Sequence, residues 1–190
     1  MLVGNKKKVL IVIDMQNDFV TGSLGTPEAQ AVVPNIVKKV EEYKSNNDLI
    51  ITTQDTHYAN YLETNEGKKL PIKHCIVSSD GWQIEDSIYS CLRGYGYYKP
   101  ILKHTFGSLE LIEYLKPLIT ENKEIQGEYF IELCGLCLDV CVITNLVLLK
   151  TAFPEANIFI DLKCTAATTT EMYKNTVSIL ESLQIEAINE

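Results

Sequence analysis

The sequence predicts an α/β fold: a single-domain, doubly wound, mainly parallel sheet of six strands with helices on both faces. Short apolar runs rich in β-branched residues alternate with longer segments of helical periodicity. Several of those runs are continuously apolar, as strands buried on both faces are. The 190 residues contain no internal repeat, low-complexity tract or Pro/Gly/Ser linker, so one domain over 1–190 is expected.

Val9-Leu-Ile-Val-Ile13 is the first and most apolar run and reads as a central strand. It ends in Asp14-Met-Gln-Asn-Asp-Phe19, followed by Gly22-Ser-Leu-Gly25. The stretch 26–46 predicts a helix with Ile36, Val40 and Tyr43 on one face; Pro34 lies in its first turn or marks a break. Residues 49–53 form the second strand, running into Gln54-Asp-Thr-His57. Residues 60–80 are polar and aperiodic, a long loop of the kind that carries function. A short helix is expected over 82–95, with Ile84, Ile88 and Leu92 on one side, and a third strand over 99–103. Ser108 caps a helix through Leu109, Leu111, Ile112 and Leu115. Strand four covers 128–136, and Val142, Leu146 and Leu149 recur at helical spacing from Asp139 to about Lys150. The fifth strand is 157–162. Thr168-Thr-Thr-Glu171 resembles a capping box before a helix to Leu183, and 185–188 is the last strand.

Composition bounds the partners. A net charge of −8 argues against nucleic acid or an anionic membrane surface. The small basic run Lys6-Lys7-Lys8 reads as a solvated face. No apolar run reaches membrane-spanning length, and 9–13 is too short for a secretion signal and ends in Asp14. A cytoplasmic protein with six reduced cysteines is expected.

In a doubly wound sheet, groups just beyond the carboxyl ends of the strands converge on one crevice. Asp14, Lys103 and Cys141 occupy such positions. Cys141 stands at a helix entrance, where free N–H groups and the helix dipole lower a thiol pKa and can hold an oxyanion. Most free cysteines are small buried hydrophobes, and most lysines are solvated; it is the combination with Asp14 that makes a nucleophilic set. Asp18 reads as a turn residue. Among the three histidines, only His104 is placed to pair with the thiol. Asp55 and His57 in Asp-x-His, with His74 and the loop residues Glu63 and Glu66, offer a mixed nitrogen and oxygen donor set suited to zinc, manganese or iron.

The residues Val12-Ile-Asp-Met-Gln-Asn-Asp-Phe19 with Gly22-Ser-Leu-Gly25, then Lys103, then Gly135-Leu-Cys-Leu-Asp-Val-Cys-Val142, resemble the isochorismatase-like cysteine hydrolases, and within them the nicotinamidase branch. The resemblance runs from Val9 to the last helix. It implies Asp14 as general base and acid, Lys103 as electrostatic partner and Cys141 as nucleophile. It implies a cis peptide between Leu136 and Cys137 that aims the Cys137 and Cys141 amides at an oxyanion. It implies a divalent metal, zinc first with manganese or iron as alternatives, on Asp55, His57, Glu66 and His74, with Glu63 competing for the Glu66 position. It implies a small-molecule amide substrate, nicotinamide first, walled by Phe19, Leu70 or Phe106, and a homo-oligomer. The chain departs from the pattern at Cys137 and Leu138, and Leu70-Pro71 stands where a pocket tryptophan is common.

Four other readings compete. The same triad could serve another small amide or carbamoyl substrate. Isochorismate cleavage fits less well, because that substrate carries two carboxylates and Arg93 is the one arginine. Cys134-x-x-Cys137-x-x-x-Cys141 could instead form a redox or metal-binding module. A catalytically dead homologue would not need Asp14, Lys103 and Cys141 intact.

Overall fold

The computed structural model describes residues 8–119 and 128–189; Lys6 and Lys7 of the basic run lie outside them. The strands are β1 (Lys8–Ile13), β2 (Leu49–Asp55), β3 (Tyr98–Lys103), β4 (Phe130–Gly135), β5 (Asn157–Thr165) and β6 (Glu186–Ile188). They form one six-stranded sheet in the order β3-β2-β1-β4-β5-β6. Every neighbouring pair is parallel. The order reverses between β1 and β4, which creates the crevice that such sheets use for sites.

The helices are α1 (Asn17–Val20), α2 (Pro27–Ser45), α3 (Asn65–Lys69), α4 (Asp86–Leu92), α5 (Leu109–Ile119), α6 (Ile143–Ala152) and α7 (Thr170–Ser182). The central strand sorts its side chains by period two. Val9, Ile11 and Ile13 pack against Leu111 and Leu115 of α5, Leu146 and Leu149 of α6, and Leu180 of α7. Leu10 and Val12 face the opposite way, against Ile36 and Val40 of α2 and Ile88 and Leu92 of α4. Two apolar layers therefore sandwich the sheet. Gly135 closes β4 at φ 110°, and a Cβ there would collide with the Ile13 carbonyl, so glycine lets β4 lie against the end of β1.

Several local expectations need correction. Helix α2 begins with Pro27 at its first turn, behind Thr26, whose hydroxyl accepts the Ala29 amide; it continues through Pro34 without ending. Its buried face of Val32, Ile36, Val40 and Tyr43 outweighs one missing backbone bond. The segment 60–80 is not structureless. A 3-10 turn (Tyr61–Glu63) and α3 lie within it, and the Thr64 hydroxyl caps α3 by accepting the Gly67 amide. The capping threonine of α7 is Thr169, not Thr168, because Asp139 takes both the amide and the hydroxyl of Thr168. The helix after β4 opens with a π-helical turn (Leu138–Val142) that holds Cys141. Ser108 does cap α5, accepting the Leu111 amide.

Candidate active site and metal group

Asp14 directly follows β1, where its backbone takes the left-handed conformation at φ 47°. The side chain is fully buried. One oxygen accepts the Thr53 hydroxyl at 2.7 Å, and the Asp14 amide donates back to that same hydroxyl at 3.2 Å. The other oxygen lies 2.7 Å from the Lys103 ammonium. Lys103, at the end of β3, is 2% exposed, so it is no solvated lysine. Its Nζ also reaches Asp55 Oδ1 at 3.1 Å and Cys141 Sγ at 3.4 Å. The ends of β1 and β3 and the π turn after β4 thus bring a carboxylate and a thiol to one ammonium.

Burial pushes the Asp14 carboxyl pKa up, and the charge and hydrogen bonds of Lys103 only partly offset it. Burial alone would lower the Lys103 pKa. The negative charges around it outweigh that, led by Asp14, and hold the ammonium charged. Burial and the Asp14 charge push the Cys141 thiol well up, against the pull of Lys103. This reverses the expectation of a thiol acidified by its helix entrance. The π turn leaves Cys141 only 6% exposed, and desolvation dominates the dipole. At rest Cys141 is a thiol beside a carboxylate whose basicity burial has raised.

The Leu136–Cys137 peptide is cis. The Cys137 carbonyl accepts the Val140 and Val142 amides and passes over that of Cys141. Asn145, fully buried on α6, donates to the Cys141 carbonyl at 2.7 Å and accepts the Ser108 amide at 2.9 Å.

Asp55 ends β2 and faces two ways. Oδ1 pairs with Lys103, while Oδ2 lies 2.9 Å from His57 Nε2 and 3.5 Å from His74 Nε2. Glu66 Oε1 stands 3.5 Å from His57 Nε2 and 3.7 Å from His74 Nε2. One ligand atom from each of Asp55, His57, Glu66 and His74 falls within 4.8 Å of all the others. Burial alone would raise the Asp55 pKa; the His57 and His74 imidazoles beside it and the Lys103 charge bring it well below the usual carboxylate range. His74 Nδ1 bonds the Ile72 carbonyl, leaving Nε2 turned inward, as a second-layer contact orients a metal-binding imidazole. His57 Nε2 is buried and makes no hydrogen bond. A buried orphan nitrogen facing two carboxylates fits a divalent cation, and the donor set of two imidazoles and two carboxylates suits zinc, manganese or iron. Glu66 joins this group from α3, while Glu63 sits exposed on the preceding 3-10 turn.

A cavity of about 310 Å³ opens over both groups. Phe19, Leu70 and Phe106 all line it, with Asp55, Glu66, His74, Cys137 and Cys141. Its remaining wall is mainly apolar, including Leu24, Ala29, Leu136 and Val140, and among the described residues no arginine or lysine lines it.

Other sequence candidates fall elsewhere. His104 is exposed, bonds the Thr56 carbonyl and stacks on Tyr58, so it does not pair with Cys141. Asp18 is structural: it accepts the Cys75 amide at 2.7 Å and holds the loop beside His74. Cys134 packs in the α2 layer while Cys141 belongs to the opposite one, so Cys134, Cys137 and Cys141 form no metal group; all six cysteines are free. Thr53, Gln16 and Asn145 escaped sequence reasoning. Each acts on a residue 37 or 39 positions away, and nothing local marks such a pairing.

No curated protein sequence matches the chain. Solved structures do. A pyrazinamidase of Pyrococcus horikoshii in complex with zinc superposes with a TM-score of 0.79 at 19% identity, covering 97% of this chain and 99% of its own. A nicotinamidase/pyrazinamidase from Bacillus subtilis gives 0.81 at 22% identity, covering 96% and 100%. An N-carbamoylsarcosine amidase from Thermoplasma acidophilum gives 0.76 at 22% identity, covering 95% of each. These likenesses establish the shared fold. The model of the isochorismatase domain matches residues 8–188, nearly the whole length, and the chain belongs to the isochorismatase family.

Proposed function

We propose that the protein is a metal-dependent cysteine amidohydrolase that converts nicotinamide to nicotinate and ammonia through a thioester on Cys141. The observation that carries this reading is the buried contact of Lys103 with Asp14 at 2.7 Å and with Cys141 at 3.4 Å, Cys141 itself lining a pocket together with Asp55, Glu66 and His74 of the metal-type donor set.

Asp14 takes the thiol proton of Cys141, and Lys103 offsets the negative charge shared between them. The thiolate attacks the amide carbon. The developing oxyanion rests on the amides of Cys137 and Cys141. Asp14 returns its proton to the nitrogen, the C–N bond breaks, ammonia leaves and the acyl group stays on sulfur. Water then attacks the thioester as Asp14 removes its proton. The C–S bond breaks, and Cys141 regains a proton as the carboxylate leaves. Asp55, His57, Glu66 and His74 would hold the metal, which would supply Lewis-acid chemistry beside the reacting amide. Phe19, Leu70 and Phe106 wall the ring.

A second reading keeps the triad and changes the substrate to another small amide or carbamoyl compound. It draws on the fold shared with an N-carbamoylsarcosine amidase and on Leu70 standing in the wall. Among the described residues no arginine or lysine lines the pocket, which favours uncharged amides over anionic carbamoyl compounds. The deciding experiment measures ammonia release from nicotinamide, with and without zinc or manganese, beside Cys141→Ala. Metal-dependent release, lowered roughly four to six orders of magnitude in the variant, is expected. Folded protein that releases no ammonia with any metal sinks the nicotinamide assignment.

A further inference from the structure

Gln16 stands two residues beyond Asp14 and is fully buried, yet it touches neither the pocket nor Cys141. Its side chain is used completely. Oε1 accepts the Asp55 amide at 2.7 Å. Nε2 donates to the Asp55 carbonyl at 2.9 Å and to the Trp82 carbonyl at 2.8 Å. A primary amide offers one carbonyl oxygen and two N–H donors, and all are engaged. Pairing both backbone groups of a single residue is what a neighbouring strand does. The ladder between β1 and β2 ends at Val12 and Thr52, so no backbone of β1 pairs with Asp55. The Gln16 side chain adds the missing rung.

We infer that Gln16 is a positioning residue that fixes the backbone of Asp55, so that one carboxylate oxygen faces Lys103 and the other faces His57 and His74. This rests on the reading of Asp55, His57, Glu66 and His74 as a metal site. The aim of Asp55 is demanding, because its two oxygens serve different groups at 3.1 and 2.9 Å. A rotation of the Asp55 backbone that suits one partner misplaces the other. The control is Gln54, which donates to the same Trp82 carbonyl at 3.1 Å and makes no hydrogen bond to the Asp55 backbone.

The test is cobalt(II) titration followed by visible absorption, with zinc affinity from chelator competition, on the full chain and on Gln16→Met, Gln16→Glu and Gln54→Met. Gln16→Met removes all three bonds. Gln16→Glu keeps the shape and the bond from the Asp55 amide while turning a carboxylate toward two carbonyls, and it carries the result if Gln16→Met does not fold. Both Gln16 variants should bind cobalt and zinc about 10–100-fold more weakly, with an altered cobalt band, as loss of an outer support does. Gln54→Met should bind as the parent does. Equal weakening in Gln54→Met would reduce Gln16 to a packing residue and overturn the assignment. Folded Gln16 variants with unchanged affinity and band would overturn it while leaving the metal site standing. Failure of both Gln16 variants to fold would make Gln16 a folding residue instead. A parent chain that binds neither metal would remove the metal reading itself, and this assignment with it.

Discussion

Asp14 combines two features that rarely coincide in a non-glycine residue: a left-handed backbone at φ 47° and a side chain with no exposure. Thr53 holds both its amide and its carboxylate, and Lys103 supplies the counter-charge. Burial therefore raises the pKa of the Asp14 carboxyl and of the Cys141 thiol beside it, with Lys103 pulling both the other way. Asp14→Asn tests the base without disturbing the backbone, because asparagine tolerates the left-handed region and can still accept from Thr53. The variant should fold, keep its near-UV circular dichroism and lose roughly 10²- to 10⁴-fold in turnover. Turnover near the parent value would remove Asp14 from the proton transfers. The placement of Asp14, Lys103 and Cys141 was legible in the sequence because each lies at or shortly after the carboxyl end of a recognisable strand. The acidity of Cys141 was not, because it depends on Asp14 and on depth of burial, neither of which helix periodicity encodes.

At the scale of elements, α2 is fastened to the sheet by charge as well as by its apolar face. Lys39 reaches from α2 to Glu132 on β4 and to Asp161 on β5, the latter at 2.7 Å. Tyr43 donates to Glu132 at 2.6 Å, and Asn189 and the Lys163 amide donate to Asp161. Both carboxylates are nearly inaccessible, at 4% and 3% exposure. Lys39→Met would leave two buried negative charges without their cation, which costs about 3–5 kcal/mol. Lys44→Ala, which breaks an exposed pair with Glu41 on the same helix, should cost less than about 0.5 kcal/mol. Urea unfolding of the two variants gives the comparison, and equal midpoints would show that the buried network does not hold α2. The length of α2 was legible from Thr26 and from Ile36, Val40 and Tyr43. Its passage through Pro34 was not, since the packing that compensates comes from strands distant in sequence. The π turn was likewise invisible: Val142, Leu146 and Leu149 fit an ordinary helix equally well.

For the whole molecule, six parallel strands with a reversal between β1 and β4 deliver Asp14, Asp55, Lys103 and Cys141 to one edge. Strand count and fold class could be read from apolar runs; strand order could not, because periodicity says nothing about neighbours. The assembled metal group makes stability ligand-linked: zinc at about 100 times its Kd should add about 2.7 kcal/mol, so chelation should lower the Tm and His74→Ala should abolish that response. The thiols make stability depend on pH in a defined direction. Burial pushes Cys137 and Cys164 up to about 12, and it also raises Cys75, Cys134 and Cys141. In the unfolded chain a thiol titrates near about 8.5. Between those values the folded protein keeps protons that the unfolded chain has lost, so ΔG of unfolding falls as pH rises. The stabilisation is fully present below the unfolded value and disappears as pH climbs through the folded one. Each such thiol contributes a slope of about 1.4 kcal/mol per pH unit within the window. Under reducing conditions the urea midpoint should therefore drop steadily from pH 8 to pH 10, and Cys164→Ala should make the drop shallower. A midpoint that stays level over that range would mean the buried thiols ionise in the folded protein as readily as in the unfolded chain, and the neutral resting state of the interior cysteines would be lost with it.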